Sequence, residues 1–121
     1  MIDCIPVIAG WLKDIGRVEI QFPSANSKFP VITVIEIYNS SDVVLNGIER
    51  LGSHSYQIDV WDKGTNRKRC EQIAAEVSKT MVAHGLSRSV CQSIEDGSGL
   101  HRKIMQFDCK IDEKTLNVYR R

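Results

Sequence analysis

The strongest constraint on this chain is a change of hydrophobic period in its second half. At the start of that half, Tyr56, Ile58 and Val60 alternate with other residues, which predicts a half-buried strand. Residues 67–84 instead place apolar side chains three and four positions apart, as an amphipathic helix does. Residues 102–111 return to alternation, so the sequence predicts strand, helix and strand in that order. The apolar stripe of the helix consists of Cys70, Ile73, Ala74, Val77, Met81 and His84.

Turn-forming residues mark the ends of these elements. Gly85 follows the last periodic residue, and glycine in the left-handed conformation commonly ends a helix. Thr65 or Asn66 is predicted to cap the start of the same helix. The Asp-Gly-Ser-Gly run at residues 96–99 is typical of a hairpin turn, which would join a strand over 86–95 to the last strand.

The N-terminal half adds one helix and two strands. Residues 3–15 have helical spacing, and residues 17–22 alternate. Residues 31–38 are almost continuously apolar and β-branched, which predicts a central strand with both faces partly covered. Residues 39–46 are predicted to form a polar connection that carries an apolar patch, and residues 47–53 to lead into the next strand.

The predicted fold class is α+β, with elements in the order α-β-β-β-α-β-β. Short connections predict antiparallel pairing between strands that follow one another in sequence. The sheet is therefore expected to be mostly antiparallel, with about five strands and two helices packed on one face. A length of 121 residues predicts a single domain, over residues 1–111, followed by a C-terminal arm over residues 112–121.

Composition favours an ordinary globular protein without a strong charge bias. Sixteen Lys and Arg oppose 15 Asp and Glu, for a net charge of +1. Dedicated nucleic-acid or membrane-surface binders usually have an excess of basic residues, so this balance argues against both. The four cysteines include no CxxC pair, which predicts reduced thiols in a cytoplasmic setting rather than a metal site. No apolar run approaches the length of a membrane span, and the first residues do not resemble a signal peptide.

Motifs that would indicate catalysis or a cofactor are not found in the sequence. It has no zincin, nucleophile-elbow, P-loop or dinucleotide fingerprint. We therefore predict no enzyme activity, no catalytic residues, no metal and no cofactor. The acidic residues on predicted strands and strand ends leave one alternative, a metal-dependent site built mainly on Asp59 and Asp108. The full set of acidic candidates is Asp59, Asp62, Glu95, Asp96 and Asp108.

A basic run, Arg67, Lys68 and Arg69, begins the second helix, where the helix dipole disfavours cations. One interpretation is a solvated face of little consequence. The other is a docking patch for an acidic partner or a phosphate backbone. Four further cations would extend such a patch: Arg102, Lys103, Arg120 and Arg121.

Trp61 is a large aromatic residue predicted to lie on the side of its strand opposite Tyr56. Two helices cannot easily cover both faces of a small sheet. Part of the second face, with Trp61, is therefore a candidate contact with another subunit, and burial in the core is the alternative.

The chain resembles the tail-completion proteins of long-tailed bacteriophages, also called tail-to-head joining or minor tail proteins, which are related to the tail terminators. The resemblance spans residues 17–111 and depends on the order and spacing of several short patterns. These are the YQIDVW strand at residues 56–61, the helix positions Ile73, Ala74, Val77, Met81 and Gly85, the final-strand positions Leu100, Arg102, Lys103, Ile104, Met105 and Phe107, and the entry at residues 29–33.

The resemblance implies a structural virion protein that forms a ring, usually a hexamer, at the head-proximal end of the tail tube. Expected partners are further copies of the chain, the tail tube protein and a head connector or stopper protein. Assembly is expected in the bacterial host cytoplasm, with no membrane and no specific nucleic-acid site. Interfaces in such proteins involve sheet edges, loops and termini. Here they indicate Val43, Val44 and Leu45 in residues 39–46, together with the arm over residues 112–121.

One different class of function is kept beside this one. A small cytoplasmic nucleic-acid-binding or regulatory module would use the local basic patch, and its binding would weaken strongly with salt. Its residues would be Arg67, Lys68, Arg69, Arg102 and Lys103.

Overall fold

In the computed structural model, the described residues form one sheet and two helices. They are residues 3–20, 28–45, 47–64, 67–95, 100–112 and 118–120. The helices are α1 (Ile5–Leu12) and α2 (Lys68–Ala83). The strands are β1 (Arg17–Glu19), β2 (Val31–Leu45), β3 (Ile48–Lys63), β4 (Ser87–Glu95), β5 (Leu100–Asp112) and β6 (Val118–Arg120). The predicted α+β class and element order are confirmed, and the short β6 follows them.

The sheet has the strand order β1-β2-β3-β5-β4, and β6 also pairs with β5. All pairs are antiparallel except β1–β2, which is parallel. The sheet is mostly antiparallel as predicted, but antiparallel pairing between consecutive strands was wrong for this first pair. Residues 20–30 separate the two strands. A connection of that length lets the chain return to the same end of the sheet before the next strand begins.

The β2–β3 hairpin is longer than predicted. Residues 39–46 were expected to be a connection, but β2 continues to Leu45 and pairs there with Ile48. Gly47 has a φ of 76°, which suits the two-residue turns that close hairpins. The Asn-Gly pair at residues 46–47 is the sequence signal for such a turn, and it outweighs the polar composition of the preceding residues.

Helix α2 buries the predicted stripe and ends at Gly85. Cys70, Ala74, Val77 and Met81 are buried. The amide of Leu86 donates to the Met81 carbonyl at 3.1 Å, and the amide of Gly85 donates to the Val82 carbonyl at 3.0 Å. With Gly85 at a φ of 94°, this is a Schellman ending. The N-cap is Arg67, without a side-chain cap; the proposed caps, residues 65 and 66, lie outside the described residues.

The core lies between the helices and one face of the sheet. Tyr56, Ile58, Val60 and Phe107 have no exposed surface, which confirms the alternation read from the sequence. Helix α1 is shorter than the predicted 3–15 and buries Ile8 and Leu12 against this face. The His84 ring stacks on Trp11 with centroids 3.9 Å apart. The contact fixes α1 against the end of α2.

The predicted turn at residues 96–99 lies outside the described residues.

The expected boundary between a domain over 1–111 and an arm over 112–121 stays a prediction. Strand β5 runs to Asp112, and β6 pairs with Cys109, Lys110 and Ile111.

Candidate interaction surfaces

The sheet face away from the helices, called here the open face, holds a polar network at its centre. The indole Nε1 of Trp61 donates to Thr33 Oγ1 at 2.9 Å. The Arg102 guanidinium lies over the Trp61 ring, with Cζ 4.4 Å from the ring centroid. Arg102 also donates from Nε and Nη2 to Asp59 Oδ2, at 2.9 and 2.7 Å. Gln57 Nε2 contacts both carboxylate oxygens of Asp59 at 3.1 Å.

Strand register explains why these residues meet. Trp61 lies opposite Arg102 on β5, and Asp59 lies opposite Thr33 on β2. Directly opposed residues in an antiparallel pair point to the same face, and their diagonal neighbours remain within reach of long side chains. Asp59 and Thr33 have no exposed surface, whereas Arg102 is 26% exposed. Two strands and a stacked cation thus bury a carboxylate on the face that the helices do not cover.

The two buried aspartates of β3 differ in electrostatic environment. Burial raises the pKa of Asp59, and the hydrogen bonds and charge of Arg102 only partly offset it. The hydrogen bonds from Arg69 instead hold the pKa of Asp62 below its usual value. Arg69 reaches Asp62 with two bonds, of 2.8 and 2.6 Å. Asp62 therefore gains net stabilisation as an anion, while Asp59 does not.

Apolar side chains surround this network on the open face. Ile94 lies opposite Arg102 and Val90 opposite Gln106, so both share a face with Trp61. Val90 is 41% and Ile94 40% exposed. On β2, towards the opposite edge of the sheet, Tyr38 is 46% exposed. We call the pair Val90 and Ile94 the β4 rim; it was not predicted from the sequence, because the polar Gln92 between them interrupts the apolar alternation.

Two sheet edges are open within the part of the chain that the structure describes. Strand β1 covers only residues 31–33 of β2, so residues 34–45 have β3 on one side and no strand on the other. Strand β4 pairs with β5 alone. Long edges with unpaired backbone groups are sites at which further strands can add. Val43, Val44 and Leu45 lie on the β2 edge, but their side chains are outside the description.

The structure does not unite the basic residues into one free patch. Arg69 is paired with Asp62, Arg102 with Asp59, and Lys103 with Glu71 at 2.9 Å. Arg67 and Lys68 are exposed at the start of α2. The Arg120 side chain and all of Arg121 lie outside the described residues. Three of the five cations assigned to a nucleic-acid site are neutralised by acids, which argues against that alternative.

The acidic candidates that the structure describes, Asp59, Asp62 and Asp108, do not converge either; the Glu95 side chain and Asp96 lie outside the described residues. Asp59 and Asp62 have separate arginine partners, and Asp108 accepts a hydrogen bond from Ser55. Among the described residues, no group of three or more His, Cys, Asp or Glu side chains is placed to hold a metal ion. Neither described helix is long and apolar enough to cross a membrane.

In the part of the chain that the structure describes, the α+β domain has two open sheet edges and a sheet face that the helices do not cover. Such surfaces are typical of a protein that works through contacts with other chains. A sequence model of the family described as "Tail completion protein gp17" matches residues 8–112. The chain belongs to this family. It is therefore a structural component of a phage tail. No curated protein matches the chain.

Proposed function

We propose that the chain assembles as a homo-hexameric ring at the head-proximal end of the tail tube, where it completes the tail and joins it to the head connector. The observation that supports this most is the pair of open edges, β2 and β4, on opposite sides of one sheet. Two different surfaces that complement each other give a head-to-tail interface, and such an interface closes into a ring when the rotation is right.

Strand directions agree with this arrangement. Strand β2 runs antiparallel to β3, β3 to β5, and β5 to β4, so β2 and β4 run in opposite directions. In a ring whose axis follows the strands, every copy has the same orientation along that axis. The β4 edge of one copy then meets the β2 edge of the next as an antiparallel pair. Backbone hydrogen bonds would join all copies into a single closed sheet.

Side chains near the edges add specificity to these contacts. The β4 rim lies on the β4 edge of the open face, and Trp61 lies on the same face two strands further in, on β3. Val43, Val44 and Leu45 lie on the β2 edge, and Arg67, Lys68, Arg69, Arg120 and Arg121 are further candidate contacts with the tube or connector. We also propose that residues 112–121, of which β6 pairs with β5 of the same chain, contribute a contact surface for a neighbouring chain. No enzyme activity or cofactor is part of this function.

The experiment is a measurement of assembly with a charged β4 edge. Val90→Lys with Ile94→Lys places two like charges on the rim and should abolish rings in electron micrographs of tails or of concentrated protein. The matched control is Gln72→Lys with Ala75→Lys, which adds the same two charges at exposed positions of α2. Rings with the rim variant at control level would refute edge pairing, and virions without this chain would refute the function itself.

A further inference from the structure

An apolar cavity of about 130 Å³ lies between α1, the core face of the sheet and β6. Its wall includes Cys4 and Val7 at the N-terminal end of α1, and Cys109 on β5. Val118 of β6 closes another side. Because Val7 is 51% exposed, the cavity reaches the surface beside this residue.

The cavity lining has almost no polar group that could form a hydrogen bond with a water molecule. The one hydroxyl in the wall, on Tyr56, is already 2.9 Å from His54 Nδ1. Burial raises the pKa of the Cys109 thiol to about 12, so it stays uncharged at neutral pH. A water molecule needs two to four polar partners to occupy a cavity, and an apolar cavity of about 150 Å³ stays dry and takes up benzene.

Helix α1 adds a second, independent indication. Its sequence, IPVIAGWL, has no charged residue and no polar residue apart from the indole of Trp11. A helix that is apolar on all sides is normally buried on all sides. Here Pro6, Val7 and Gly10 are exposed, and nothing lies within 4 Å of a Cβ placed on Gly10. The mouth of the cavity thus lies in an apolar surface.

The Trp11–His84 stack holds one wall of the cavity in place. The two rings are 3.9 Å apart and nearly parallel, at 4°. Trp11 is part of the cavity wall, and α1 is held to α2 through this contact. A wall held in this way preserves the empty volume, because the flanking helix cannot readily collapse into it.

We propose that this cavity is a binding site for one small, uncharged apolar group, about the size of a benzene ring or a leucine side chain. The group comes either from a free small molecule or from an apolar side chain of a neighbouring chain in the particle. The second source rests on the proposed assembly, whereas binding itself does not.

Binding is tested on the full chain with benzene as the probe. Benzene near its solubility limit should raise the melting temperature, because a ligand that binds only the folded state stabilises it. In methyl NMR spectra the shifts should concentrate on Val7, Ile8, Ile111 and Val118, which line the cavity. No thermal shift together with no shift of these methyl signals would overturn the proposal, whatever the protein does in assembly.

A pair of cysteine variants locates the site. Cys4→Leu fills part of the cavity and should lose the benzene response. Cys91→Leu makes the same change at an exposed position of β4, away from the cavity, and should keep the benzene response. Benzene shifts that persist in folded Cys4→Leu at wild-type strength would overturn the assignment. If Cys4→Leu does not fold, the methyl map of the wild-type chain decides.

Ring formation distinguishes the two sources. If a neighbouring chain inserts its side chain, Cys4→Leu impairs assembly while Cys91→Leu does not. If a free molecule is the occupant, both variants assemble alike. This comparison identifies the source of the apolar group, and the benzene measurements test the site itself. The β4 rim variant should bind benzene as the wild type does even if it forms no rings, so failure of the proposed assembly and failure of the site can be told apart.

Discussion

The two faces of strands β3 and β5 share one alternating pattern and are stabilised in different ways. On the helix-covered face, Tyr56, Ile58 and Phe107 are buried among other apolar groups. On the open face, Asp59 is equally buried but is covered by Arg102. The covered face excludes water with helices, and the open face does so with its own long side chains, which can cover apolar surface while they hold a charge. Complete burial of a residue therefore does not require a second layer of secondary structure.

The largest expected effect lies on the covered face. Phe107→Ala should lower the free energy of unfolding by about 3–5 kcal/mol, because it removes a fully buried ring and leaves a cavity. Urea denaturation measures the difference. Ile104→Ala, on the open face of the same strand, is the matched control and should cost clearly less, since Ile104 is only partly buried. Equal losses at both positions would remove the distinction between the faces.

A smaller effect is expected when the cover of Asp59 is removed. Arg102→Met should lower the free energy of unfolding by about 2–3 kcal/mol at neutral pH. Breaking a fully buried ion pair costs about 3–5 kcal/mol, and the loss should be smaller here because Arg102 is partly exposed. Asp59 already has a raised pKa, and the variant should raise it further. An acid with a raised pKa favours folding below its ordinary value of 3.8 and loses that contribution as pH rises.

The penalty of Arg102→Met should therefore grow with increasing pH. Unfolding curves recorded from below pH 3.8 to neutral pH measure it. Asp59→Asn in the Arg102→Met background should remove the pH dependence and restore part of the stability. A penalty that stays constant with pH would mean that lost packing on Trp61, rather than the charge on Asp59, carries the effect.

For the second aspartate, the stability penalty of losing its arginine should also grow with pH, but with a smaller amplitude. Arg69→Met removes the partner that lowers the pKa of Asp62. A lowered pKa contributes stability above the ordinary value of 3.8, and that contribution is lost as pH falls through the lowered value. The variant should thus approach the wild type in stability in acid. The pair is weakened by solvent, because Arg69 is 57% exposed, so salt should reduce the difference.

The smallest expected effect on stability is at the β4 rim. Val90→Ser and Ile94→Ser should each change the free energy of unfolding of the free chain by about 0.5 kcal/mol or less, as exposed substitutions usually do. Both should nevertheless weaken ring formation, which sedimentation and electron microscopy would measure. A loss of more than about 2 kcal/mol would place these side chains in the core of the chain instead.

The local sequence pattern was sufficient to predict those elements in which burial of apolar side chains is the dominant interaction. The stripe of α2 and the alternation of β3 and β5 were predictable, because apolar burial repeats with the period of the element. At the Gly47 hairpin two local signals conflict, because the polar residues before it favour a connection while the Asn-Gly pair favours a tight turn. The parallel β1–β2 pair carried no local signal, because the direction of pairing depends on the path of the intervening chain.

The candidate surfaces were predictable only in part. Trp61 was placed correctly on the second face, and its role as a contact stays a prediction. The basic residues were visible in the sequence, but the pairing of Arg102 with Asp59 was not, because these two residues are 43 positions apart and meet only through strand register. A charge in a sequence indicates the presence of an ion, and the fold decides what lies against it.

The sequence by itself determined the α+β class, the element order and the helix-facing half of the core, since these follow from hydrophobic period and turn residues. Only the tertiary structure decided which strand edges stay open, which cations are paired and where a cavity remains. Those properties depend on contacts between residues far apart in the chain, and each contact is selected by register and packing after the elements have formed.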